Sequence, residues 1–119
     1  MSLLSRLFGG VPSVSAREAR QLVDDGAVMV DVRSTSEWNA GHYPLAVHLS
    51  GDQLAQKQKR IPKNKPLVVV CRSGSRSRGA TKRLIDAGFD AVNMSGGMHA
   101  WLRSGQPLVD RAGKPGRLV

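Results

Sequence analysis

The stretch LVVVCRSGSRSRGATKRLIDAG, residues 67–88, decides the fold of this chain. It begins with a short apolar run rich in Val, which is typical of a strand buried on both faces. A loop of Gly and Ser residues follows, and then a helical pattern whose apolar residues lie on one side and which ends at Gly88. Strand, tight loop and helix in this order predict one unit of a parallel α/β sheet, with Cys71 at the carboxyl end of the strand.

The segments on both sides of this stretch continue the alternation of strands and helices. The motif SARE at 15–18 is a capping box, in which the Ser15 hydroxyl accepts from the Glu18 amide, and it predicts the start of a helix. In chain order, the patterns predict that helix, a strand over 27–32, a helical piece over 37–40, an extended segment over 46–49, a polar amphipathic stretch over 52–59, the strand at 67–70, the helix after the loop, a strand over 91–94 and a helix over 98–103. They indicate an α/β fold with a short, mostly parallel sheet flanked by helices.

The chain length of 119 residues predicts a single domain, because separate cores form only at roughly twice this length or more. Hydrophobic residues make up 40% of the chain and charged residues 23%, which is typical of a folded globular protein. We assign residues 11–109 to the domain and residues 1–10 to an N-terminal extension. Residues 110–119 are rich in Gly and basic residues without periodicity, and are predicted to form a flexible basic tail.

Cellular location is predicted from the single cysteine and from the apolar runs. One cysteine excludes an internal disulfide and fits a reducing compartment. The start of the chain lacks the apolar core of a secretory signal, and no run approaches the roughly 18 apolar residues that span a bilayer. We therefore expect a cytoplasmic protein without a membrane partner.

The net charge of +9 indicates an anionic partner. Ten of the eighteen Lys and Arg residues lie between Lys57 and Arg83, and no acidic residue interrupts them. Aromatic residues are only 4% of the chain, so the stacking platforms of single-strand binders are scarce and nucleic acid is not an expected partner. The positive charge instead surrounds the sole cysteine, Cys71.

The loop after Cys71 has the composition of an anion-binding nest. Gly74 and the small residues Ser73, Ser75 and Ser77 allow the loop to curl so that its amides and the following helix N-terminus point at one position. A thiol at that position would have a lowered pKa and would react as a thiolate. The alternative is that Cys71 is a small buried hydrophobe and that solubilising residues surround it by chance.

Three ordered blocks resemble the single-domain rhodaneses of the sulfurtransferase superfamily. They are VDVRSTSEWNAGHYPLA at 30–46, CRSGSR at 71–76 and GFDAVNMSGGMHAWLRSGQP at 88–107. The matching residues are Asp31, Arg33, Glu37, Trp38, Gly41 and His42 in the first block, the loop itself in the second, and Gly88, Phe89, Gly96, Gly97, Trp101, Gly105 and Pro107 in the third. The sequence departs from the family at Tyr43 and Leu45, where Ile and Gly are usual.

This resemblance implies a rhodanese-like three-layer domain and a catalytic role for Cys71. Its thiolate would take sulfur from a small anionic donor such as thiosulfate, form a persulfide, and pass the sulfur to cyanide or a thiol acceptor. No metal or organic cofactor is implied. The substrate-binding residues are expected to be Arg72, Ser73, Gly74, Ser75 and Arg76. Arg72 is the better candidate for the sulfonate group, whereas Arg76 is also a candidate for pairing with a carboxylate and bracing the loop.

Two other functions use the same loop. In a sulfur-relay or protein-interaction module, turnover would be incidental and the basic rim would dock an acidic protein. Cysteine phosphatases and arsenate reductases of this fold place five residues between Cys and Arg, whereas here four separate Cys71 from Arg76 and position 77 is Ser. The shorter loop favours a single sulfur atom over a tetrahedral phosphate.

Other polar and aromatic residues receive structural assignments. Asp31, Arg33 and Glu37 are predicted to form an ion-pair and capping cluster rather than a general acid or base. The histidines are too scattered in sequence to predict a metal site. Trp38 and Trp101 are expected to pack in the core or over the site.

Overall fold

A computed structural model describes residues 10–119 of the chain. The predicted N-terminal extension, residues 1–10, lies outside the described residues except for Gly10. The elements in chain order are β1 (Ser13–Val14), α1 (Ala16–Asp24), β2 (Val28–Asp31), α2 (Thr35–Ala40), β3 (Val47–His48), two 3₁₀ turns (Gly51–Gln53 and Gln58–Arg60), β4 (Leu67–Val70), α3 (Ser75–Asp86), β5 (Ala91–Met94) and α4 (Gly97–Arg103).

The five strands form one sheet in the order β1-β5-β4-β2-β3, and every pairing is parallel. Strand β4 lies in the centre, where Val69 is in register with Val30 of β2 and with Asn93 of β5. Because the strands are parallel, their carboxyl ends meet at one edge of the sheet. Cys71, the residue after β4, therefore lies in the middle of that edge.

Alternate residues of the central strands pack into two separate apolar layers. Val69 belongs to a cluster with Leu84 of α3, whereas Val68 belongs to a cluster with Trp101 of α4 and Ala19 of α1. All four residues of β4 are buried, as the continuous apolar run predicts. Helices thus cover both faces of the sheet, and the three-layer α/β fold is the one expected from the sequence.

The predicted elements are present, and the structure adds one short strand. The capping box at Ser15 is confirmed, because the Glu18 amide donates to the Ser15 hydroxyl at 3.1 Å and the Glu18 carboxylate accepts from the Ser15 amide. Strand β1 was not predicted, since two edge residues give no apolar period. The polar amphipathic stretch at 52–59 is occupied in part by the two 3₁₀ turns, Gly51–Gln53 and Gln58–Arg60.

Residues 110–119 are held against the domain and do not form the free extension that their composition suggests. The Arg117 amide donates to the Ala40 carbonyl at 2.9 Å, and Val109 forms antiparallel bridges with His42 and Pro115. A Cβ atom on Gly41 would overlap the Arg117 backbone, so the two segments touch directly. Backbone hydrogen bonds make these contacts, and hydrophobic periodicity does not reveal such bonds.

Among residues 10–119, no helix combines the length and apolar character needed to cross a membrane.

Candidate active site

Cys71 lies at the floor of the loop that joins β4 to α3, with 0% of its surface exposed. The Gly74 amide donates to the Cys71 Sγ at an N···S distance of 3.1 Å. The Ser77 hydroxyl lies 3.4 Å from the same sulfur. The amides of Ser73 and Ser77 also donate towards it. The loop therefore forms a nest of donors around one sulfur atom, as its composition predicts.

The environment of the thiol has two opposing effects on its pKa. Burial raises the pKa of Cys71, because a charged thiolate is poorly solvated away from water. Hydrogen bonds from the Ser77 hydroxyl and from the amides of Ser77, Gly74 and Ser73 lower it. The lowering effects prevail, so the pKa of Cys71 lies below its ordinary value and the thiolate is favoured.

The backbone of the neighbouring helix α4 holds the loop in this conformation. The amides of Met98 and His99 donate to the carbonyls of Cys71 and Arg72, at 2.9 and 3.2 Å. A Cβ atom on Gly97 would lie 2.5 Å from the Cys71 carbonyl oxygen, so only Gly allows this approach. These bonds fix the carbonyls of Cys71 and Arg72 towards α4, so the amides of the loop face the opposite way, towards the sulfur.

Gly74 makes the sharp turn within the loop. Its φ of 106° lies in the left-handed region, which side chains other than that of Gly rarely adopt. It immediately precedes α3, so the amides of the first helical turn face the loop and carry the partial positive charge of the helix N-terminus. Strand, turn and helix start together place the Gly74 amide and the Ser77 hydroxyl beside the Cys71 sulfur.

Arg76 is paired with a carboxylate from the neighbouring helix α2. Its two Nη atoms donate to the two carboxylate oxygens of Glu37 at 2.8 and 2.9 Å. This pairing lowers the pKa of Glu37 to about 2, despite partial burial that raises it. The same carboxylate raises the pKa of Arg76, and burial opposes the shift. The guanidinium braces the loop in this structure, which is one of the two roles considered for it.

Arg72 contacts the C-terminal segment. Its Nε donates to the backbone oxygen of Val119 at 2.8 Å. Ser73 and Ser75, two further predicted substrate contacts, are exposed. Thus Arg72, Ser73 and Ser75 border the loop, whereas Gly74 and Ser77 form its interior.

The ion-pair and capping assignments for the first sequence block are confirmed. Arg33 and Asp31 form a buried pair with an N···O distance of 2.7 Å, and the Arg33 Nη2 also donates to the Gly41 carbonyl. Glu37 belongs to a capping box with Ser34, which holds the start of α2. The spacing of Ser34 and Glu37 is the sequence signal of this cap.

The aromatic residues pack as expected, and two histidines come together. The Trp38 ring stacks with the rings of His42 and His48, at centroid distances of 3.7 and 4.8 Å. Trp101 is fully buried in the core. No group of three or more His, Cys, Asp or Glu side chains arranged to hold a metal is found in the described range 10–119.

Asn93 was not identified as a site residue from sequence. It lies on β5, is almost fully buried, and its Oδ1 is 2.5 Å from the Ser77 hydroxyl. A polar residue within a buried strand such as AVNM is the signal that could have found it, because a buried amide needs hydrogen-bond partners.

Comparison with known proteins assigns the chain to a family. A sequence model of the rhodanese-like domain matches residues 15–104. The thiosulfate sulfurtransferase GlpE of Pseudomonas savastanoi pv. phaseolicola is 36% identical over 89 residues, which cover 74% of this chain and 84% of the relative.

Solved structures support the same assignment. A rhodanese-like domain protein from Staphylococcus aureus superposes with a TM-score of 0.70 at 33% identity, covering 76% of this chain and 90% of that one. A rhodanese-related protein from Thermoplasma volcanium gives a TM-score of 0.76 at 26% identity, covering 82% and 97%. With the family match over most of the chain and the loop geometry described above, this protein belongs to the rhodanese-like domain family and is a sulfurtransferase of the rhodanese type.

Proposed function

We propose that the protein transfers sulfane sulfur from thiosulfate, or from a persulfide donor, to cyanide or a thiol acceptor through a persulfide on Cys71. The observation that carries the proposal is the ring of donors around the Cys71 sulfur, formed by the amides of Ser73, Gly74 and Ser77 and by the Ser77 hydroxyl. These donors stabilise negative charge on sulfur, which the chemistry needs in both of its steps.

In the first step, the Cys71 thiolate attacks the outer sulfur of thiosulfate. A new S–S bond forms to Cys71, the S–S bond of thiosulfate breaks, and its electron pair leaves with sulfite. In the second step, cyanide or a thiolate attacks the outer sulfur of the persulfide. The S–S bond between Cys71 Sγ and the outer sulfur then breaks, and its electron pair stays on Sγ and restores the Cys71 thiolate. Neither a strong general acid nor an external oxidant is required.

The proposal gives the two loop arginines different roles. Arg72 adjoins the nucleophile and is proposed to bind the sulfonate group of thiosulfate. Arg76 keeps the loop closed through its two hydrogen bonds to Glu37. The same pairing argues against a phosphatase, which would need its loop arginine to bind the phosphate, and the loop is also one residue shorter than the phosphatase loop.

The experiment that tests this function is sulfur loading. The protein is incubated with thiosulfate, and its intact mass should increase by one sulfur atom; cyanide should then release thiocyanate and restore the original mass. Cys71→Ser should neither gain sulfur nor form thiocyanate. A wild type that gains no sulfur, or a Cys71→Ser variant that forms thiocyanate as fast, would refute the proposal.

A sulfur-relay role is the second candidate, and the charge distribution favours it. Two cations of the acid-free stretch, Arg72 and Arg78, lie in the loop and near the start of α3, and Arg78 is exposed. Such a surface would attract an acidic donor or acceptor protein. If sulfur loads well but discharge to cyanide is negligible, the relay role takes precedence, with the chemistry at Cys71 unchanged.

A further inference from the structure

Two buried polar side chains lie behind the Cys71 sulfur, on the side away from the loop rim. Ser77 is in the first turn of α3 with 0% of its surface exposed, and Asn93 is on β5 with 2% exposed. Both are enclosed by the sheet and α3, so water cannot readily satisfy their polar atoms. Their hydrogen bonds must therefore come from each other and from their neighbours.

The Ser77 hydroxyl has more acceptors around it than it has protons. Its oxygen lies 2.5 Å from Asn93 Oδ1, 3.2 Å from the Gly74 carbonyl oxygen and 3.4 Å from the Cys71 sulfur. A hydroxyl carries one hydrogen, so it donates fully to only one of these atoms. The shortest contact is to Asn93, which means that Asn93 competes directly with the sulfur for the Ser77 proton.

The side-chain amide of Asn93 has two orientations that fit this space. In the one described, Oδ1 accepts from Ser77 and Nδ2 lies 3.4 Å from the Ser13 hydroxyl. Rotation of the amide by half a turn exchanges donor and acceptor without changing its shape. Nδ2 would then donate to the Ser77 oxygen, and Oδ1 could accept from Ser13.

Each amide orientation matches a different charge on the sulfur. With Oδ1 facing Ser77, the hydroxyl proton points to Asn93, and a Ser77 lone pair is free to accept from a neutral Cys71 thiol. With Nδ2 facing Ser77, the hydroxyl proton is directed to Cys71, where it stabilises a thiolate. The orientation of Asn93 and the charge on Cys71 are thus coupled through one hydroxyl group.

We propose that Asn93 is a positioning residue that acts through Ser77: its amide directs the Ser77 hydroxyl proton to the Cys71 sulfur when the thiolate forms and accepts that proton when the sulfur is neutral. The inference rests on the proposed function only in taking Cys71 as the nucleophile. It assigns Asn93 to the reaction although Asn93 does not touch the sulfur. The amides of Ser73 and Gly74 stabilise the thiolate in any state, whereas the Ser77–Asn93 pair can switch.

Charged and titratable groups near the sulfur come from several packed elements. Arg76 of α3 interacts electrostatically with Cys71 and is neutralised by Glu37 of α2. The others are Arg72 beside the thiol, the buried Asp31–Arg33 pair at the end of β2, His48 of β3, whose Nε2 bonds to the Arg33 carbonyl, and His99 of α4. Strands β4 and β5 contribute no titratable side chain. Substitutions at positions 77 and 93 leave all these groups in place.

The test is the pH dependence of Cys71 alkylation by iodoacetamide, which reacts with the thiolate and requires no sulfur transfer. Ser77→Ala and Asn93→Ala should each move the midpoint of the alkylation profile to higher pH, by roughly one unit or more for Ser77→Ala, since a charge-assisted hydrogen bond is lost. Ser77→Thr, which restores the hydroxyl, should return the midpoint to that of the wild type.

The double variant decides whether Asn93 acts through Ser77. In a Ser77→Ala background, Asn93→Ala should produce no further shift, because the hydroxyl that transmits its effect is absent. Additive shifts, or no shift in either single variant, would overturn the inference. Thr81→Val is the matched control, since it removes another buried hydroxyl of α3, one that donates to the Ser77 carbonyl; a shift as large as that of Asn93→Ala would indicate general disruption and would also overturn it.

A second variant covers the case in which Asn93→Ala does not fold. Asn93→Asp keeps the shape of the side chain, but its carboxylate only accepts hydrogen bonds. It should hold the Ser77 proton away from the sulfur and raise the midpoint of the alkylation profile; an unchanged midpoint would refute the inference.

The outcome of these experiments is separable from that of the test of the proposed function. If the midpoints shift as expected while the wild type takes up no sulfur, the role of the Ser77–Asn93 pair is supported and the proposed sulfur transfer is refuted. If sulfur loads but the midpoints do not move, the sulfur transfer is supported and the role of the pair is refuted.

Discussion

Arg72 and Arg76 border the same loop but are held by different partners. Arg76 is fixed by two hydrogen bonds to a single carboxylate, which is the geometry in which a guanidinium binds most firmly. Within residues 10–119, the Arg72 side chain donates through Nε to the Val119 backbone oxygen, and this hydrogen bond does not use its Nη atoms. At the scale of single residues, we therefore expect Arg72 to bind substrate and Arg76 to maintain the loop.

Arg72→Ala should affect sulfur loading more than sulfur discharge. Loss of a charge-assisted contact to the sulfonate should raise the half-saturating thiosulfate concentration by roughly tenfold, whereas cyanide attack on the persulfide does not use that contact. Intact mass measured against thiosulfate concentration gives the first quantity, and thiocyanate release from pre-loaded protein gives the second.

The control for this prediction is Arg78→Ala, which removes an exposed charge from the same acid-free stretch without altering the residue beside the thiol. Equal effects of Arg72→Ala on loading and discharge would remove its role in binding the sulfonate. An equal rise in the thiosulfate requirement for Arg78→Ala would assign the effect to overall charge.

At the scale of elements, the site depends on segments that contact each other through backbone atoms. Helix α4 binds the loop carbonyls of Cys71 and Arg72, and the C-terminal segment lies against the end of α2. Gly97 and Gly41 make these approaches possible, since a Cβ atom at either position would meet backbone. The loop is therefore fixed by its neighbours as well as by its own sequence.

Gly41→Ala should destabilise the protein by separating the C-terminal segment from α2. The added methyl group would overlap the Arg117 backbone, and relief of such overpacking costs about 1–3 kcal/mol. Gly79→Ala is the control: it lies within α3 with no atom near its Cβ position, and it should be neutral or stabilising by up to about 1 kcal/mol. Urea unfolding measures both. A Gly41→Ala variant as stable as the wild type would mean that this contact does not hold the segment.

Across the whole molecule, local patterns in the sequence predict the sheet and the position of the nucleophile, but not the partners that complete the site. The apolar run at 67–70 coincides with β4, because buried parallel strands leave a continuous apolar signal. The strand predicted over 91–94 coincides with β5, although Asn93 interrupts its apolar residues. Glu37 and Arg76 are 39 residues apart, and no local period relates them. The Ser77–Asn93 contact depends on how α3 packs on β5, and the C-terminal segment is held by backbone hydrogen bonds. Such contacts follow from tertiary packing, which local patterns in a single sequence do not reveal.

The Glu37–Arg76 pair connects α2 to the active-site loop, and its titration should appear in the stability of the whole fold. The pKa of Glu37 is lowered from 4.5 to about 2, chiefly by the hydrogen bonds from Arg76. A lowered pKa in the folded state means that the carboxylate stabilises the fold fully above pH 4.5, and that this contribution is lost as the pH falls towards 2. The free energy of unfolding of the wild type should therefore decrease across this window.

Glu37→Gln isolates this contribution, since Gln can still cap Ser34 and accept one hydrogen bond from Arg76 but carries no charge. The difference in free energy of unfolding between wild type and Glu37→Gln should be constant above about pH 5, should shrink between pH 4.5 and pH 2, and should be smallest at the acid end. Urea unfolding at a series of pH values measures it. Glu18 and Asp52, whose pKa values are also lowered, are present in both proteins, so their effects cancel in the difference. A difference that stays constant down to pH 2, or grows as the pH falls, would show that the pair does not contribute through the charge of Glu37, and the link between α2 and the loop would then rest on its hydrogen bonds alone.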